Sequence, residues 1–235
     1  MQQHIVTAFS DELEQLSASL IEMGGFAEGM IRDALRAVVN RDVALAETVI
    51  ARDIELDQME QRVERTVVRM LALRQPMAAD LRNVIGAIKL ADAIERIGDL
   101  AKDICRRSQA ISEDDNRSIL RGIESMGQAV AHQLKTALDA FSRRDPAIAL
   151  QVVAQDDDVD SHYNGLFRML LEYMTEDHDK IEARSNFLFI VKNLERIGDQ
   201  STNIAKTVYF IATGEQVGTK GLRAVIETED KGDGR

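Results

Sequence analysis

Four pairs of acidic residues, each pair spaced four residues apart, are the feature of this sequence that most clearly suggests chemistry. The pairs are Asp53/Asp57, Glu95/Asp99, Asp156/Asp160 and Glu195/Asp199. Residues four apart lie on the same face of an α-helix, so each pair predicts a ridge of two carboxylates. Carboxylate oxygens suit hard cations such as magnesium, calcium, manganese or iron. The pairs therefore predict metal binding, with solvated acidic helix faces as the alternative.

The distances along the chain place these pairs at matching levels on neighbouring helices. In an antiparallel hairpin that turns at Pro76, Asp57 lies level with Glu95, and Asp53 lies level with Asp99. The two later pairs match in the same way in a second hairpin. Four carboxylates at one level repel one another unless a cation neutralises them. One multi-carboxylate site is predicted in each hairpin, although the rotation of the helices about their axes is left open by the sequence.

Long helices must carry these pairs, because apolar residues recur at intervals of three and four along nearly the whole chain. The few breaks are short, and two of them contain the only prolines, Pro76 and Pro146. No alternating apolar run typical of a strand is present. The predicted helices span residues 8–39, 42–74, 77–108, 113–143, 146–175 and 179–213. Short connections between equally long helices predict an all-α bundle of antiparallel neighbours.

An internal repeat relates the two hairpins. The pentapeptide Glu-Arg-Ile-Gly-Asp occurs at residues 95–99 and again at 195–199, and the segment 51–57 resembles the segment 154–160. Helices one to three therefore repeat as helices four to six. This predicts two tandem three-helix bundles with internal pseudo-twofold symmetry. The predicted units are residues 1–110, residues 111–214 and a Gly-rich, charged tail, 215–235, expected to be disordered.

The two predicted sites are not equivalent. The helical period adds four acids to the first site, namely Glu60, Glu64, Asp92 and Asp103. The corresponding positions of the second site hold Tyr163, Phe167, Lys192 and Asn203. The first site is therefore expected to bind a cation more tightly. Lys102 and Lys206 lie near the acidic faces as possible internal partners, which favours the solvated alternative.

Glycine interrupts the helices beside both acidic ridges, at Gly98 and Gly198. Glycine within a helix costs about 1 kcal/mol relative to alanine. Close approach of a neighbouring helix is therefore predicted at both positions.

Other chemistry is less well supported. His132 and Lys135 have the His-x-x-Lys spacing of histidine phosphotransfer modules, although Thr136 stands where glycine is usual. No histidine follows a glutamate by three residues, as di-iron bundles of the ferritin type require. No Gly-rich phosphate loop and no nucleophile elbow are present. The sequence therefore predicts a binding protein rather than an enzyme, with phosphotransfer through His132 as the alternative function.

Composition excludes several classes of protein. The 235 residues include 29 Lys and Arg against 40 Asp and Glu, a formal net charge of −11, which argues against nucleic-acid binding. The single Cys105 excludes a disulfide framework. No apolar stretch is long enough to cross a membrane, and the N-terminus lacks the pattern of a signal peptide. A cytoplasmic location without direct membrane insertion is expected.

The motifs together resemble those of the PhoU family, the phosphate transport system regulatory proteins of bacteria. The resemblance rests on the segment Arg-Gln-Pro-Met-Ala-Ala-Asp-Leu-Arg at 74–82, on both copies of Glu-Arg-Ile-Gly-Asp, and on Thr-Asn-Ile-Ala at 202–205. It covers residues 5–214. The family implies two three-helix bundles with multinuclear metal clusters, which contain iron in some members. The implied ligands are Asp53, Asp57, Glu95, Asp99, Asp156, Asp160, Glu195 and Asp199, with Asp103 and Asn203 as further candidates.

The same resemblance implies a regulatory role in phosphate homeostasis. Proteins of this family act between the phosphate ABC transporter, through its ATPase subunit, and a membrane sensor histidine kinase. They keep the phosphate regulon off and restrain uptake when phosphate is plentiful. The resemblance therefore implies a cytoplasmic, homodimeric adaptor. Its cofactor would be iron, magnesium, manganese or zinc.

Overall fold

The computed structural model describes residues 2–111, 117–175 and 181–217, and the regular structure in these ranges is entirely α-helical. The helices are α1 (Gln2–Asn40), α2 (Val43–Arg74), α3 (Ala79–Ser108), α4 (Arg117–Arg143), α5 (Pro146–Ala154), α6 (Asp156–Thr175) and α7 (Ile181–Thr213). The predicted all-α class is confirmed. The predicted C-terminal helix ends agree with the observed ones to within one residue. The predicted second hairpin turn, within residues 176–179, lies outside the described residues.

Equivalent chain reversals in the two halves show the repeat at the level of the backbone. Arg41 and Arg144, 103 residues apart, both have a positive φ, of 55° and 52°. The next residue in each case, Asp42 or Asp145, caps the following helix by accepting hydrogen bonds from backbone N–H groups of its first turn. Such caps satisfy donors that a helix start otherwise leaves unpaired. The same local chemistry therefore starts α2 and α5.

The helix predicted over residues 146–175 is not continuous, and this prediction is wrong. The chain breaks at Gln155, and α6 begins at the next residue. Three consecutive aspartates, 156–158, follow the break and form the acidic first turn of α6. Aspartate is a poor residue for a helix interior but is favoured near a helix N-terminus, where it interacts well with the helix dipole. These aspartates therefore favour a new start over continuation of α5.

The two halves of the chain form two bundles that share one core. Helices α1 to α3 pack together, as do α4 to α7, and the bundles meet through contacts of α3 with α7 and of α1 with α4. At one such contact Ile211 of α7 fills the space where a side chain on Gly86 of α3 would lie. The buried apolar residues of both halves belong to a single cluster. The predicted division at residues 110 and 111 falls in the link between α3 and α4.

Apolar and acidic residues separate on opposite faces of α3. Ile94, Ile97 and Ile104 are buried in the core, and the acidic residues predicted as ligands lie on the other side. Hydrophobic burial therefore fixes which way the acids point. Among the described residues, no helix combines the length and apolar character that a membrane span requires.

Candidate metal-binding surfaces

Acidic residues of α2 and α3 come together on one side of the first bundle. We call this the first carboxylate surface, and it comprises Asp53, Asp57, Glu60, Glu64, Asp92, Glu95, Asp99 and Asp103. The α2 acids Asp53 and Asp57 are close enough to Glu95 of α3 to raise the pKa of its carboxyl group. The two predicted ridges therefore face each other, which settles the helix rotation that the sequence left open.

Glu95 has the largest pKa shift on this surface. Burial, followed by the negative charges of Asp99, Glu60, Asp57 and Asp53, raises the pKa of Glu95 to about 7. Burial, followed by the charges of neighbouring acids, also raises the pKa of Glu60. Carboxylates that hold protons against their usual tendency are short of positive charge. The surface therefore has the electrostatic character of a cation site.

Lys102 of α3 supplies positive charge from within this surface. Its Nζ donates a hydrogen bond to Asp53 Oδ2 at 2.5 Å and another to Asp99 Oδ1. The Lys102 side chain is only 16% exposed, and Asp53 is buried. Burial raises the pKa of Asp53, and the Lys102 ammonium opposes that rise. One lysine thus bridges an acid of α2 to an acid of α3.

The outer acids of the first surface pair with arginines on their own helix. Arg96 Nε lies 3.6 Å from Asp92 Oδ2, and Arg106 Nη1 lies 3.1 Å from Asp103 Oδ1. All four side chains are half exposed or more. Exposed pairs of this kind contribute little to stability, so these arginines screen the rim rather than hold the site together.

The second carboxylate surface comprises Asp156 and Asp160 of α6 with Glu195 and Asp199 of α7. Burial, followed by the charges of Glu195 and Asp156, raises the pKa of Asp199, so these ridges also face each other. Lys192 Nζ lies 2.7 Å from Glu195 Oε2 and is 5.2 Å from the centre of the Tyr163 ring. Four predicted acids therefore share a surface in each half.

Neutral groups contact Asp156 where Lys102 contacts its counterpart Asp53. Thr202 Oγ1 donates to Asp156 Oδ1 at 2.9 Å, and Gln133 Nε2 donates to the same oxygen at 3.3 Å. Gln133 and Thr202 are both buried, and Gln133 Oε1 has no hydrogen-bond partner among the described residues. The sequence prediction missed Gln133. Its signal was a lone amide on the apolar face of α4, between the buried residues Val130 and Leu134.

Both glycines beside the ridges lie against the neighbouring helix, which confirms the close approach predicted for them. A Cβ at Gly98 would overlap Leu56 Cδ2. A Cβ at Gly198 would lie 3.1 Å from Val159 Cγ1 and 3.2 Å from Gln133 Oε1. The glycines therefore let α3 and α7 approach the helices that carry the opposite ridges.

The donor set fits a hard cation, but the side chains are not gathered around a single point. Within residues 9–111, 117–175 and 181–217, no three His, Cys, Asp or Glu side chains are grouped so that they could hold a metal ion. Carboxylates spread over a surface suit cations whose coordination is completed by water. Raised carboxyl pKa values on both surfaces are consistent with that chemistry. Metal binding by these residues stays a prediction.

Two predicted residues lie apart from the centres of these surfaces. Asn203 is exposed and lines a groove of about 420 Å³ between α3 and α7, together with Lys89 and Lys206. Asp103 pairs with Arg106 at the rim of the first surface. His132, the residue of the phosphotransfer alternative, is exposed on α4, and that alternative also stays a prediction.

A family model describing the PhoU domain matches the chain twice, over residues 20–108 and 123–208. Named relatives are similar over most of their length. A "Phosphate-specific transport system accessory protein PhoU homolog" of Caulobacter vibrioides is 44% identical over 218 residues, which are 92% of this chain and 95% of that protein. A protein of the same name from Rhizobium meliloti is 44% identical, covering 91% of this chain and 90% of the relative.

Solved structures agree with these sequence matches. The crystal structure of PhoU from Pseudomonas aeruginosa has a TM-score of 0.82 and 37% identity, covering 88% of this chain and all of that one. The crystal structure of the phosphate transport system regulatory protein PhoU from Streptococcus pneumoniae has a TM-score of 0.83 and 28% identity. It covers 89% of this chain and 99% of the other.

Proposed function

This chain belongs to the PhoU family, and on that premise we propose that it is a metal-binding regulator of phosphate uptake. It acts in the cytoplasm as a homodimeric adaptor between the ATPase subunit of a phosphate ABC transporter and a sensor histidine kinase. In that role it keeps the phosphate regulon off when phosphate is plentiful. The names of the relatives, which describe accessory and regulatory proteins of phosphate transport, support this proposal.

The observation that carries metal binding is the pair of facing carboxylate ridges, repeated in both halves. On the first surface burial, followed by the charges of the neighbouring acids, raises the pKa of Glu95 to about 7. The oxygens of Asp53, Asp57, Glu95 and Asp99 would hold a cation such as iron, magnesium, manganese or zinc in the first half. Those of Asp156, Asp160, Glu195 and Asp199 would do so in the second. A bound cation would supply positive charge that joins two helices of each bundle.

Acids in these positions bind and orient; they do not form a catalytic group. Among the described residues, no histidine lies within the two surfaces. The basic residues beside the acids are Arg96 and Arg106 at the rim of the first surface and Lys192 on the second. The surfaces are open to solvent along the sides of the bundles. We therefore assign them to binding and signalling rather than to catalysis.

Metal analysis of purified protein tests the binding proposal. The double variant Glu95→Ala with Asp99→Ala is expected to lose most of the metal bound by the first half, because it removes the whole α3 ridge. The matched control is Glu14→Ala with Glu22→Ala, which removes two exposed acids of α1 and changes the net charge equally. Full retention of metal by the Glu95/Asp99 variant would contradict the assignment.

Deletion of the gene tests the regulatory role separately. Phosphate-uptake genes are expected to be expressed constitutively in high phosphate when the protein is absent, and repression should return with the wild-type chain. Complementation with the Glu95/Asp99 variant then asks whether metal binding is needed for repression. Unchanged expression in the deletion strain would rule out the role, whatever the metal content of the purified protein.

A further inference from the structure

We propose that Lys102 is a built-in cation of the first carboxylate surface, so that a metal ion there must displace a lysine that bridges the two helices. The second carboxylate surface has a lysine as well, but Lys192 pairs with one acid of its own helix and does not bridge the two helices. This inference rests on the proposed metal binding. It assigns a role to a residue that is itself not a ligand.

The position of the Lys102 ammonium is the first part of the argument. Its Nζ hydrogen-bonds Asp53 of α2 and Asp99 of α3, the two acids that a bridging metal ion would need. Only 16% of the lysine side chain is exposed, and only 9% of the Asp53 side chain. An oxygen that accepts a charge-assisted hydrogen bond is engaged, and two cations on the same carboxylates repel each other. The lysine and a metal ion are therefore competing occupants.

The second half provides the comparison within the same molecule. Thr202 occupies the position of Lys102, three residues beyond the aspartate of the repeated pentapeptide. Its hydroxyl, together with the Gln133 amide, satisfies Asp156 without adding charge. Lys192 does pair with Glu195, but the two residues lie on the same helix and the lysine side chain is 47% exposed. Burial raises the pKa of Asp160 of α6 and the Lys192 charge opposes that rise, but among the described residues no ion pair joins Lys192 to an acid of that helix. Asp156 and Asp160 of α6 thus have no ion-pair partner among the described residues, whereas Asp53 of α2 has Lys102.

The order in which the two surfaces bind metal follows from this difference. The larger number of acids on the first surface predicts the tighter site, but Lys102 already offsets part of that charge where the helices meet. The second surface is therefore expected to fill at lower metal concentration. Removing the lysine is expected to restore the advantage of the first surface.

Manganese binding to full-length protein tests the proposal one surface at a time. The second surface is silenced by Glu195→Gln with Asp199→Asn, and Mn²⁺ titration by calorimetry and by its electron paramagnetic resonance signal reports on the first. In this background Lys102→Thr is expected to bind Mn²⁺ about tenfold more tightly, because it removes the ammonium that competes for Asp53 and Asp99. Lys102→Arg, which keeps the charge, and Lys89→Thr, an exposed lysine of the same helix directed at Phe210, are expected to show no gain.

The reciprocal substitution, which places a lysine on the second surface, tests the proposal even if Lys102→Thr does not fold. With the first surface silenced by Glu95→Gln and Asp99→Asn, Thr202→Lys is expected to weaken Mn²⁺ binding about tenfold. The control is Thr213→Lys, at the exposed end of α7. Thermal unfolding without metal confirms that each variant is folded.

The possible outcomes separate this inference from the proposed function. Tighter binding after Lys102→Thr or, where that variant is unfolded, weaker binding after Thr202→Lys, with unchanged controls, supports the built-in cation. Equal or weaker binding after Lys102→Thr, or an equal effect of Lys89→Thr, overturns it while metal binding itself stands. Absence of Mn²⁺ from both surfaces of the wild-type chain would overturn the proposed metal binding and this inference with it.

Discussion

The first and second carboxylate surfaces carry the same four acids in the same register but balance their charge by different means. On the first, Lys102 bridges Asp53 and Asp99 as an internal cation. On the second, Thr202 and Gln133 donate hydrogen bonds to Asp156 from uncharged groups. The repeat has kept the acids and exchanged the residues that support them. The same four acids therefore do not make equivalent sites, because the residue that hydrogen-bonds each acid determines how much negative charge remains to attract a cation.

The backbone differs between the halves at the same place. Helix α2 runs without interruption through Asp53, whereas the chain breaks at Gln155, immediately before Asp156. The break puts Asp156, Asp157 and Asp158 in the first turn of a helix, where the partial positive charge of the N-terminus favours them. In the second half the helix dipole thus provides part of the positive potential that Lys102 provides in the first.

Removal of Lys102 is expected to change stability more than any other substitution at the two surfaces. Lys102→Met should lower the unfolding free energy of the metal-free protein by roughly 2 kcal/mol, since it leaves Asp53 buried and unpaired although Asp99 is partly solvated. Thr202→Val should cost only about 1 kcal/mol, because it removes an uncharged donor from Asp156, which is partly exposed and keeps its hydrogen bond from Gln133. Urea unfolding measures both. A larger loss in Thr202→Val would reverse our account of the two surfaces.

The glycines beside the ridges are expected to respond unequally to an added methyl group. Gly98→Ala should destabilise the protein by about 1 kcal/mol, because overlap with buried Leu56 outweighs the better helix propensity of alanine. Gly198→Ala should be close to neutral, because its nearest neighbour, Val159 Cγ1, would be 3.1 Å away and the same gain in propensity offsets the strain. Melting temperatures of the two variants, compared without metal, measure the difference. Equal shifts would mean that α2 and α6 approach their partners equally closely.

The smallest expected effect is on the pH dependence of stability, which should decrease when Glu95 is replaced. The pKa of Glu95 in the folded protein, about 7, lies above the ordinary value of 4.5. Its contribution to stability is therefore present at low pH and is lost as pH rises from 4.5 to 7. Glu95→Gln should remove this loss. Without metal, the fall in melting temperature between about pH 5 and pH 8 should be smaller than in the wild type by about 2 °C. If the Glu95 variant keeps the wild-type pH profile, a group other than Glu95 causes the pH dependence of stability.

Much of the fold could be predicted from the sequence because it follows from local periodicity. Runs of apolar residues at intervals of three and four predicted the long helices, and Pro76 marked the reversal that brings Asp57 level with Glu95. The match of the family model to two segments agrees with the repeat inferred from the duplicated pentapeptide. Register within a hairpin is simple arithmetic once the turn is known.

Features that depend on contacts between distant helices could not be predicted in the same way. The residue facing Asp53 depends on the rotation of α2 and α3, and the burial of Lys102 follows only from their packing. Gln133 lies on a third helix, 23 residues before Asp156, with no motif to connect them. The break at Gln155 reflects a balance between helix propensity and the electrostatics of three aspartates, which apolar periodicity does not detect.

The contact of α3 with α7 has a consequence for how the protein is made. Ile211 of α7 fills the space beside Gly86 of α3, and the two bundles share one core. A ribosome releases α3 long before the last helix, so the first bundle leaves the exit tunnel with part of its apolar surface uncovered. Such surface on a nascent chain invites association with other chains until its own partner arrives. The apolar surface of the first bundle is therefore fully buried only after α7 has been synthesised.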